Sequence, residues 1–279
     1  MADLRIHLLL ETATVAVRDV VCEGLHRQPG DERSASANRL VIPYRGAFVC
    51  HIRGEEAVAE SGQVLLFNRA ENYRVSHPLA GGHASVDLLV EEDLLREICP
   101  KPLLAQSDPL RFAPYRLRID PRAQALSALV RHSLHQGTAE VLEVESLALA
   151  LAQRALGPRT TRAPRATASR QRLVDRVKLL ITSDLSRRWT LSDIAGNLAC
   201  SPVYLTQVFQ QVEGVPLYRY QLRLRLARAL DLLAQYDDIS ALSFELGFSS
   251  HSHFSAAFQH TYGRSPSEFR QFLLNRQSQ

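Results

Sequence analysis

The sequence contains few of the features that mark cross-linked or membrane-spanning proteins. Its 279 residues include one Met, one Trp and only four Cys, and the Cys lie far apart without paired spacing: Cys22, Cys50, Cys99 and Cys200. This usage favours reduced thiols in a cytosol over a disulfide framework. No apolar run approaches the roughly eighteen residues that span a bilayer, and the N-terminus lacks the basic start of a signal peptide. We therefore expect a cytoplasmic protein without a membrane partner.

Two motifs of common enzyme classes are also missing. The sequence has neither the G-x-x-x-x-G-K loop that cradles nucleotide phosphates nor the G-x-S-x-G elbow of serine hydrolases. We accordingly assign no catalytic residue and no cofactor, and expect a protein that is not an enzyme.

The formal net charge of +4 is distributed unevenly along the chain. Residues 171–279 contain 12 Lys/Arg and 9 Asp/Glu, and residues 157–170 add four Arg and no acid, which leaves residues 1–156 with a net charge of −3. A basic excess at one end is typical of a part that meets phosphate, although a solvated surface would give the same numbers.

Residues 1–90 have the pattern of an all-β domain. Short runs of Val, Ile, Leu and Phe alternate with turn residues, which is typical of a sandwich or barrel. The predicted strands are 15–23, 39–44, 47–54, 62–68, 71–77 and 83–90. In the last of these, Ala84, Val86, Leu88 and Val90 share one face, so we expect a half-buried strand.

The segment GQVLLFNRAENYR (62–74) resembles the second conserved segment of the cupin barrel found in sugar-binding domains of AraC/XylS regulators. The resemblance implies a cupin-like barrel. Tyr73 stands where metal-dependent cupins place a His ligand, and no His-x-His pair occurs in the preceding strands. The metal set of a cupin dioxygenase or isomerase is therefore absent.

Three side chains of this domain are candidates for contact with a small ligand. Tyr73 and His77 alternate onto one face of their strand and could form hydrogen bonds at the barrel mouth, with His26 as a third candidate. A satisfied polar cluster is the alternative interpretation. Cys22 and His26 could also contribute to a Zn²⁺, Cu⁺ or redox-sensing site, but no fourth ligand is visible, so we assign no metal ligand.

Two apolar-striped helices are predicted after the barrel. One begins at Asp120-Pro121 and ends at Gly137, and the other continues to residue 156; they could cover the barrel or pair with a second subunit. Residues 157–170 are rich in Pro, Ala, Thr and Arg and are predicted to be a linker. The expected domains are thus 1–156, 157–170 and 171–279, in an α+β fold.

A helical unit occurs twice in the last third of the chain. Residues 191–209 (LSDIAGNLACSPVYLTQVF) correspond to residues 239–258 (ISALSFELGFSSHSHFSAAF), with one extra residue at the second turn. Such pairs predict tandem helix-turn-helix units. The outward positions of the two second helices are the candidate DNA contacts: Val203, Thr206, Gln207 and Gln210, then His251, Ser252, Ser255 and Gln259. Between the units, a helix carries Arg219, Arg223, Arg225 and Arg228, and Arg223 is our candidate for phosphate contact.

These residues carry a long, gap-free resemblance. SPVYLTQVF, the Y-x-x-R-L-x-x-A pattern from Tyr220 to Ala227, and residues 239–250 and 253–270 resemble the DNA-binding domain of AraC/XylS transcription regulators. The resemblance implies a homodimer, more often an activator, that binds double-stranded promoter DNA and works with RNA polymerase. Many members have Arg where this chain has Gln207 and Ala256. Because Gln prefers adenine and Arg guanine, base preference should differ from those relatives.

We therefore expect a transcription regulator whose all-α C-terminal domain binds DNA and whose N-terminal barrel responds to a small-molecule effector. One alternative is a ligand-independent regulator whose barrel serves only dimerisation or protein contact. Another is a metal-dependent cupin enzyme with a DNA-binding tail, which would need a metal-bearing barrel.

Overall fold

The computed structural model describes residues 3–106, 109–137, 139–158, 160–162 and 166–274. The chain forms two compact units. The first unit extends to Arg162 and includes the chain from Ser267 onward, and the second is Ala163–Pro266. The sequence placed the last helix with the DNA-binding domain, whereas its contacts group it with the first unit. The predicted linker is also shorter than expected, because a helix already begins at Ala168.

The first unit contains two antiparallel sheets. The larger has the strand order β1-β2-β9-β4-β7-β10-β11 and the smaller β3-β8-β5-β6. The strands are β1 (Asp3–Glu11), β2 (Val15–Glu23), β3 (Arg33–Ser34), β4 (Arg39–Gly46), β5 (Phe48–Ile52), β6 (Glu55–Ala59), β7 (Gln63–Phe67), β8 (Asn72–Ser76), β9 (His83–Val90), β10 (Arg116–Arg118) and β11 (Thr161–Arg162). All six predicted strands are present.

Strands β1 and β6 were missed for physical reasons. Ile6 and Leu8 of β1 are two positions apart and both point their apolar side chains to solvent, at 55% and 54% exposure, so the strand lacks a buried apolar face. Strand β6 is short and begins with two exposed Glu. In both cases pairing with a neighbouring strand, not local preference, determines the structure.

Strand β9 is buried on both faces, which corrects the half-buried prediction. Val86 and Leu88 on one face belong to the large apolar core. On the other face His83, Ser85 and Asp87 are all less than 9% exposed, because this face is turned towards the second sheet, where residues of both sheets form another core. The polar residues that suggested solvent are enclosed instead.

Helices cover one face of the larger sheet. They are α1 (Glu92–Ile98), a 3₁₀ turn (Lys101–Leu103), α2 (Pro121–Gln136) and α3 (Val141–Leu156). As predicted, Asp120 caps α2 by accepting from the Ala123 N–H, and Gly137 ends it with a left-handed φ of 64°. Val144 and Leu151 of α3 are buried in the same core as strands β2 and β9. The apolar stripes therefore cover the sheet, the first of the two predicted roles.

The second unit is entirely helical. Its helices are α4 (Ala168–Ser183), α5 (Leu191–Asn197), α6 (Pro202–Glu213), α7 (Leu217–Leu232), α8 (Ile239–Glu245) and α9 (His251–Tyr262), and α10 (Pro266–Leu274) follows. Together with the sheet unit this confirms the α+β class and the two helix pairs, α5–α6 and α8–α9. Among the described residues, no helix is long and apolar enough to cross a membrane.

Candidate nucleic-acid interface

Helix α6 is fixed at both ends and along its back. Ser201 caps it by accepting from the Tyr204 N–H at 3.2 Å, Pro202 occupies the first turn, and Gly214 ends it at a φ of 70°. Four apolar residues at helical spacing are at most 2% exposed: Leu205, Val208, Phe209 and Val212. Since this spacing covers one side, the opposite side of α6 is presented to solvent.

The exposed face of α6 contains the predicted contacts. Gln207 and Gln210 are exposed, and Val203 is 67% exposed. Thr206 is half-buried, and its hydroxyl donates to the Pro202 carbonyl at 2.8 Å, so in this rotamer it can only accept a hydrogen bond. The sequence missed Tyr204, which is 45% exposed beside Val203. Its position in the first turn, directly after the Ser-Pro cap, is the signal that could have identified it.

Helix α9 repeats this construction in the second half. Ser250 caps it by accepting from the His253 N–H at 3.2 Å, and Phe254 and Phe258 are fully buried behind it. His251, Ser252 and Gln259 are exposed, as predicted, as are His253 and Ala256. Ser255 is half-buried, with its Oγ 3.3 Å from His251 Nε2. The exposed face thus offers imidazole, hydroxyl and amide groups but no Arg.

Helix α7 is shared by both halves of the unit. Its residues Tyr220 and Leu224 lie in the core of the first half with α4 and α6, while Leu226, Ala229 and Leu230 are also at most 5% exposed. Because most of the helix is buried, little of its surface is open to solvent. The four Arg therefore differ in their exposure and in their contacts.

The four Arg of α7 have different roles. Arg225 is half-buried and bonds to backbone carbonyls, and Arg228 pairs with Asp231. Arg219 is exposed and its Nε donates to the Tyr218 hydroxyl at 3.0 Å. Arg223 is exposed, and no hydrogen bond or ion pair among the described residues involves its guanidinium. Arg223 is therefore the best placed of the four to meet a phosphate, and its contact with DNA stays a prediction.

Arg225 joins the two helix-turn-helix pairs. Its guanidinium donates to the carbonyls of Leu185 at 2.7 Å and Arg187 at 2.9 Å, in the loop before α5, and to the carbonyl of Gly247 at 3.0 Å, in the turn between α8 and α9. Burial of this cation lowers its pKa. A single side chain thus bonds both the loop before α5 and the turn between α8 and α9.

The candidate ligand residues of the first unit do not form one group. His26 and His77 come together, since each backbone N–H donates to the other's carbonyl, at 2.9 and 2.6 Å. Tyr73 lies near the opposite end of β8, about 13 Å away at 3.3 Å per residue. Its hydroxyl accepts from Arg39 at 2.7 Å, and it also lines a shallow surface cleft with His51, Arg53 and Arg74.

Comparison with known proteins identifies the second unit. Residues 194–271 match the family model described as a helix-turn-helix domain. The chain is 32% identical over 98 residues to the uncharacterised HTH-type transcriptional regulator YidL of Escherichia coli, covering 35% of this chain and 33% of YidL. It is 34% identical over 103 residues to the Msm operon regulatory protein of Streptococcus mutans, covering 37% of each. The match thus spans about a third of these relatives.

A solved structure shows the same likeness. The crystal structure of a transcriptional regulator with an AraC-type DNA-binding domain from Chromobacterium violaceum is 29% identical, covers 39% of this chain and 97% of that chain, and has a TM-score of 0.36.

Two helix-turn-helix pairs joined by one shared helix define a bipartite DNA-binding domain. The family match and the regulatory relatives cover this domain, so the chain is similar to helix-turn-helix transcriptional regulators over about a third of its length.

Proposed function

We propose that this protein is a sequence-specific transcription regulator that binds promoter DNA with both recognition helices. One observation carries the proposal: α6 and α9 each present an exposed polar face, and each is anchored behind by fully buried residues. A helix with this arrangement fits the major groove of B-DNA. The regulatory names of both relatives favour the same function over an enzyme.

The side chains on the two helices have distinct roles in this proposal. Gln207 offers the paired donor and acceptor that match adenine, and Val203 offers apolar contact to a thymine methyl. The DNA contact of α6 also includes Gln210 and Thr206. The contact of α9 is formed by His251, Ser252, Ser255 and Gln259. Arg223, between the helices, contacts phosphate and adds affinity without sequence preference.

The whole chain acts as a cytoplasmic homodimer that activates transcription with RNA polymerase and responds to a small-molecule effector in its N-terminal unit. The wide separation of the four Cys in the sequence suits a reducing cytoplasm. The resemblance of that unit to a cupin barrel supports the effector role, because the mouths of β-barrels are a common location for ligands.

Mapping of bound sites across the genome tests the regulator function. The expected result is recovery of a shared DNA motif upstream of genes whose transcription falls when the protein is removed. Binding without a shared motif, or no change in transcription of the neighbouring genes, would contradict it.

A ligand-independent regulator is the second candidate, and one observation favours it. The Tyr73 hydroxyl and the His77 imidazole already have partners within the protein, at 2.7 and 2.8 Å. A thermal-shift screen against fractionated metabolites separates the two functions, because a ligand that binds the folded state raises the melting temperature by mass action. A shift from any fraction supports the effector; no shift supports the ligand-independent regulator.

A further inference from the structure

Three metal-ligating side chains meet at one end of the two-sheet unit. Cys22 near the end of β2 is the direct cross-strand partner of His83, the first residue of β9. His77 follows β8 in the opposite sheet. One potential ligand atom from each of the three lies within 4.8 Å of the others. The side chains are 2%, 7% and 5% exposed, respectively. The cluster therefore links both sheets in an enclosed space.

The two imidazoles are closely arranged. His77 Nε2 and His83 Nδ1 are 2.8 Å apart, and the rings are stacked at a centroid distance of 4.9 Å and an interplanar angle of 12°. The ring of Phe48 packs on His83 at a centroid distance of 4.1 Å. The aromatic contact restricts rotation of the His83 ring, so its nitrogen stays directed at the cluster.

Backbone packing holds Cys22 close to these rings. A Cβ at Gly82 would lie 1.8 Å from the Cys22 carbonyl oxygen, and a Cβ at Gly46 would lie 2.3 Å from the Gly82 carbonyl oxygen. Both glycines have left-handed φ values, 64° and 69°. Only glycine permits this approach of the three strands, so the arrangement of Cys22 and His83 is built into the chain.

We infer that Cys22, His77 and His83 bind a thiophilic d¹⁰ cation, Zn²⁺ or Cu⁺. A thiolate with two imidazoles is a ligand set that both ions accept. In a tetrahedral zinc site with Zn–N bonds of about 2.0–2.1 Å, the two nitrogens would be about 3.3 Å apart. The rings need to separate by only about 0.5 Å to admit the ion. His26 pairs with His77 through the backbone only and is not part of this group, so the fourth position of a tetrahedral Zn²⁺ would be taken by water.

The enclosed position of the two imidazoles lowers the pKa of both. Burial, together with the nearby charges of His26 and Arg33, lowers the pKa of His77 to about 4. Burial, with the charges of His77, Arg33 and Arg45, lowers that of His83 to about 3. The site is distinct from Tyr73, where the cupin resemblance would place a metal ligand.

Metal titration of the full chain tests the inference, with Co²⁺ as a spectroscopic probe for Zn²⁺ and bicinchoninate competition for Cu⁺. We expect one equivalent to bind per chain and a thiolate-to-cobalt charge-transfer band. Cys22→Ser and His83→Gln should each weaken binding at least 100-fold. The matched controls Cys200→Ser and His253→Gln, in the other unit, should bind like the wild type.

Alkylation of the wild-type protein provides a second measurement that does not depend on the variants folding. One equivalent of Zn²⁺ or Cu⁺ should slow modification of Cys22 and leave that of Cys200 unchanged. Protection by Cu⁺ alone assigns the site to copper, and protection by Zn²⁺ assigns it to zinc. No protection at Cys22, or a cobalt complex without a thiolate band, overturns the inference.

Discussion

Arg225 and Gly247 meet where the two helix-turn-helix pairs join: the guanidinium Nη1 donates to the glycine carbonyl at 3.0 Å. A Cβ at Gly247 would lie 2.8 Å from Arg225 Nη2 and 2.2 Å from the Ser186 carbonyl oxygen, and its φ is +79°. The turn of the second pair is thus packed directly on the loop that precedes the first. The separation of the two recognition helices depends on this contact.

Substitution of the two equivalent turn residues should have opposite effects. Gly247→Ala introduces both a clash and left-handed strain, so we expect a loss of more than about 2 kcal/mol in the free energy of unfolding. Ala199, at the same place in the first turn, already has a φ of 52° and is exposed. Ala199→Gly should therefore be neutral or stabilising by up to about 1 kcal/mol. Urea unfolding of both variants measures these two changes in the free energy of unfolding. Equal destabilisation by the two substitutions would contradict the expected difference.

A buried ion pair should make the first half of the DNA-binding unit sensitive to the loss of either partner alone. Lys178 Nζ on α4 lies 2.7 Å from Glu213 Oε1 on α6, with side-chain exposures of 0% and 5%. Removing one partner leaves an uncompensated buried charge, so Lys178→Met alone should cost about 3–5 kcal/mol. The double variant Lys178→Met/Glu213→Leu should recover most of that loss in thermal unfolding. A double variant as unstable as the single would show that packing, not charge, is responsible.

The first unit should lose stability when the pH falls from 7.5 to 6. In the unfolded chain His77 and His83 titrate near pH 6.5, whereas folding lowers their pKa values to about 4 and 3. The unfolded state then binds more protons in this range, so the free energy of unfolding falls with pH, by about 1–2 kcal/mol for the pair. The raised pKa of Asp87, about 6 because of burial, acts in the opposite direction and offsets part of this loss as the pH approaches 6, because the folded state then takes up a proton.

Denaturant unfolding with chelator present measures this dependence. His83→Gln should reduce the pH slope by about half, while the exposed His253→Gln in the other unit should not change it. An unchanged slope in His83→Gln would mean that another group carries the effect.

Arg223→Ala should weaken DNA binding by a similar factor on every sequence. The exposed guanidinium is placed for phosphate contact, so its removal should also reduce the salt dependence of log K by about one unit of slope. Binding measured by fluorescence anisotropy at several salt concentrations gives this slope. If the slope is unchanged and the fold is intact, Arg223 does not contact phosphate.

The helical half of the fold follows from local signals in the sequence. Ser201-Pro202, Gly214 and the spacing of Leu205 and Phe209 determine where α6 begins, ends and faces, and all these signals lie within one helix. Because such signals act over a few residues, they can be recognised without knowledge of the tertiary structure.

Other features depend on contacts between distant residues. The four Arg of α7 look alike in sequence, and only the approach of the Gly247 turn distinguishes Arg225 from Arg223. In the same way, Cys22 and His83 become neighbours only through the pairing of β2 with β9. The sequence indicates His26 as the second ligand beside Cys22, because sequence patterns pair residues that are close along the chain.

Selection of binding sites from random DNA with the wild type and Gln207→Ala is the direct test of whether both recognition helices read DNA. We expect the wild type to select two blocks of specified base pairs that are separated by about one helical turn, roughly 34 Å. Gln207→Ala should lose preference at a single base pair in one block, at a cost of about 1–3 kcal/mol, and leave the other block unchanged. A single block for the wild type, or an unchanged preference in Gln207→Ala, would contradict reading of DNA by both helices.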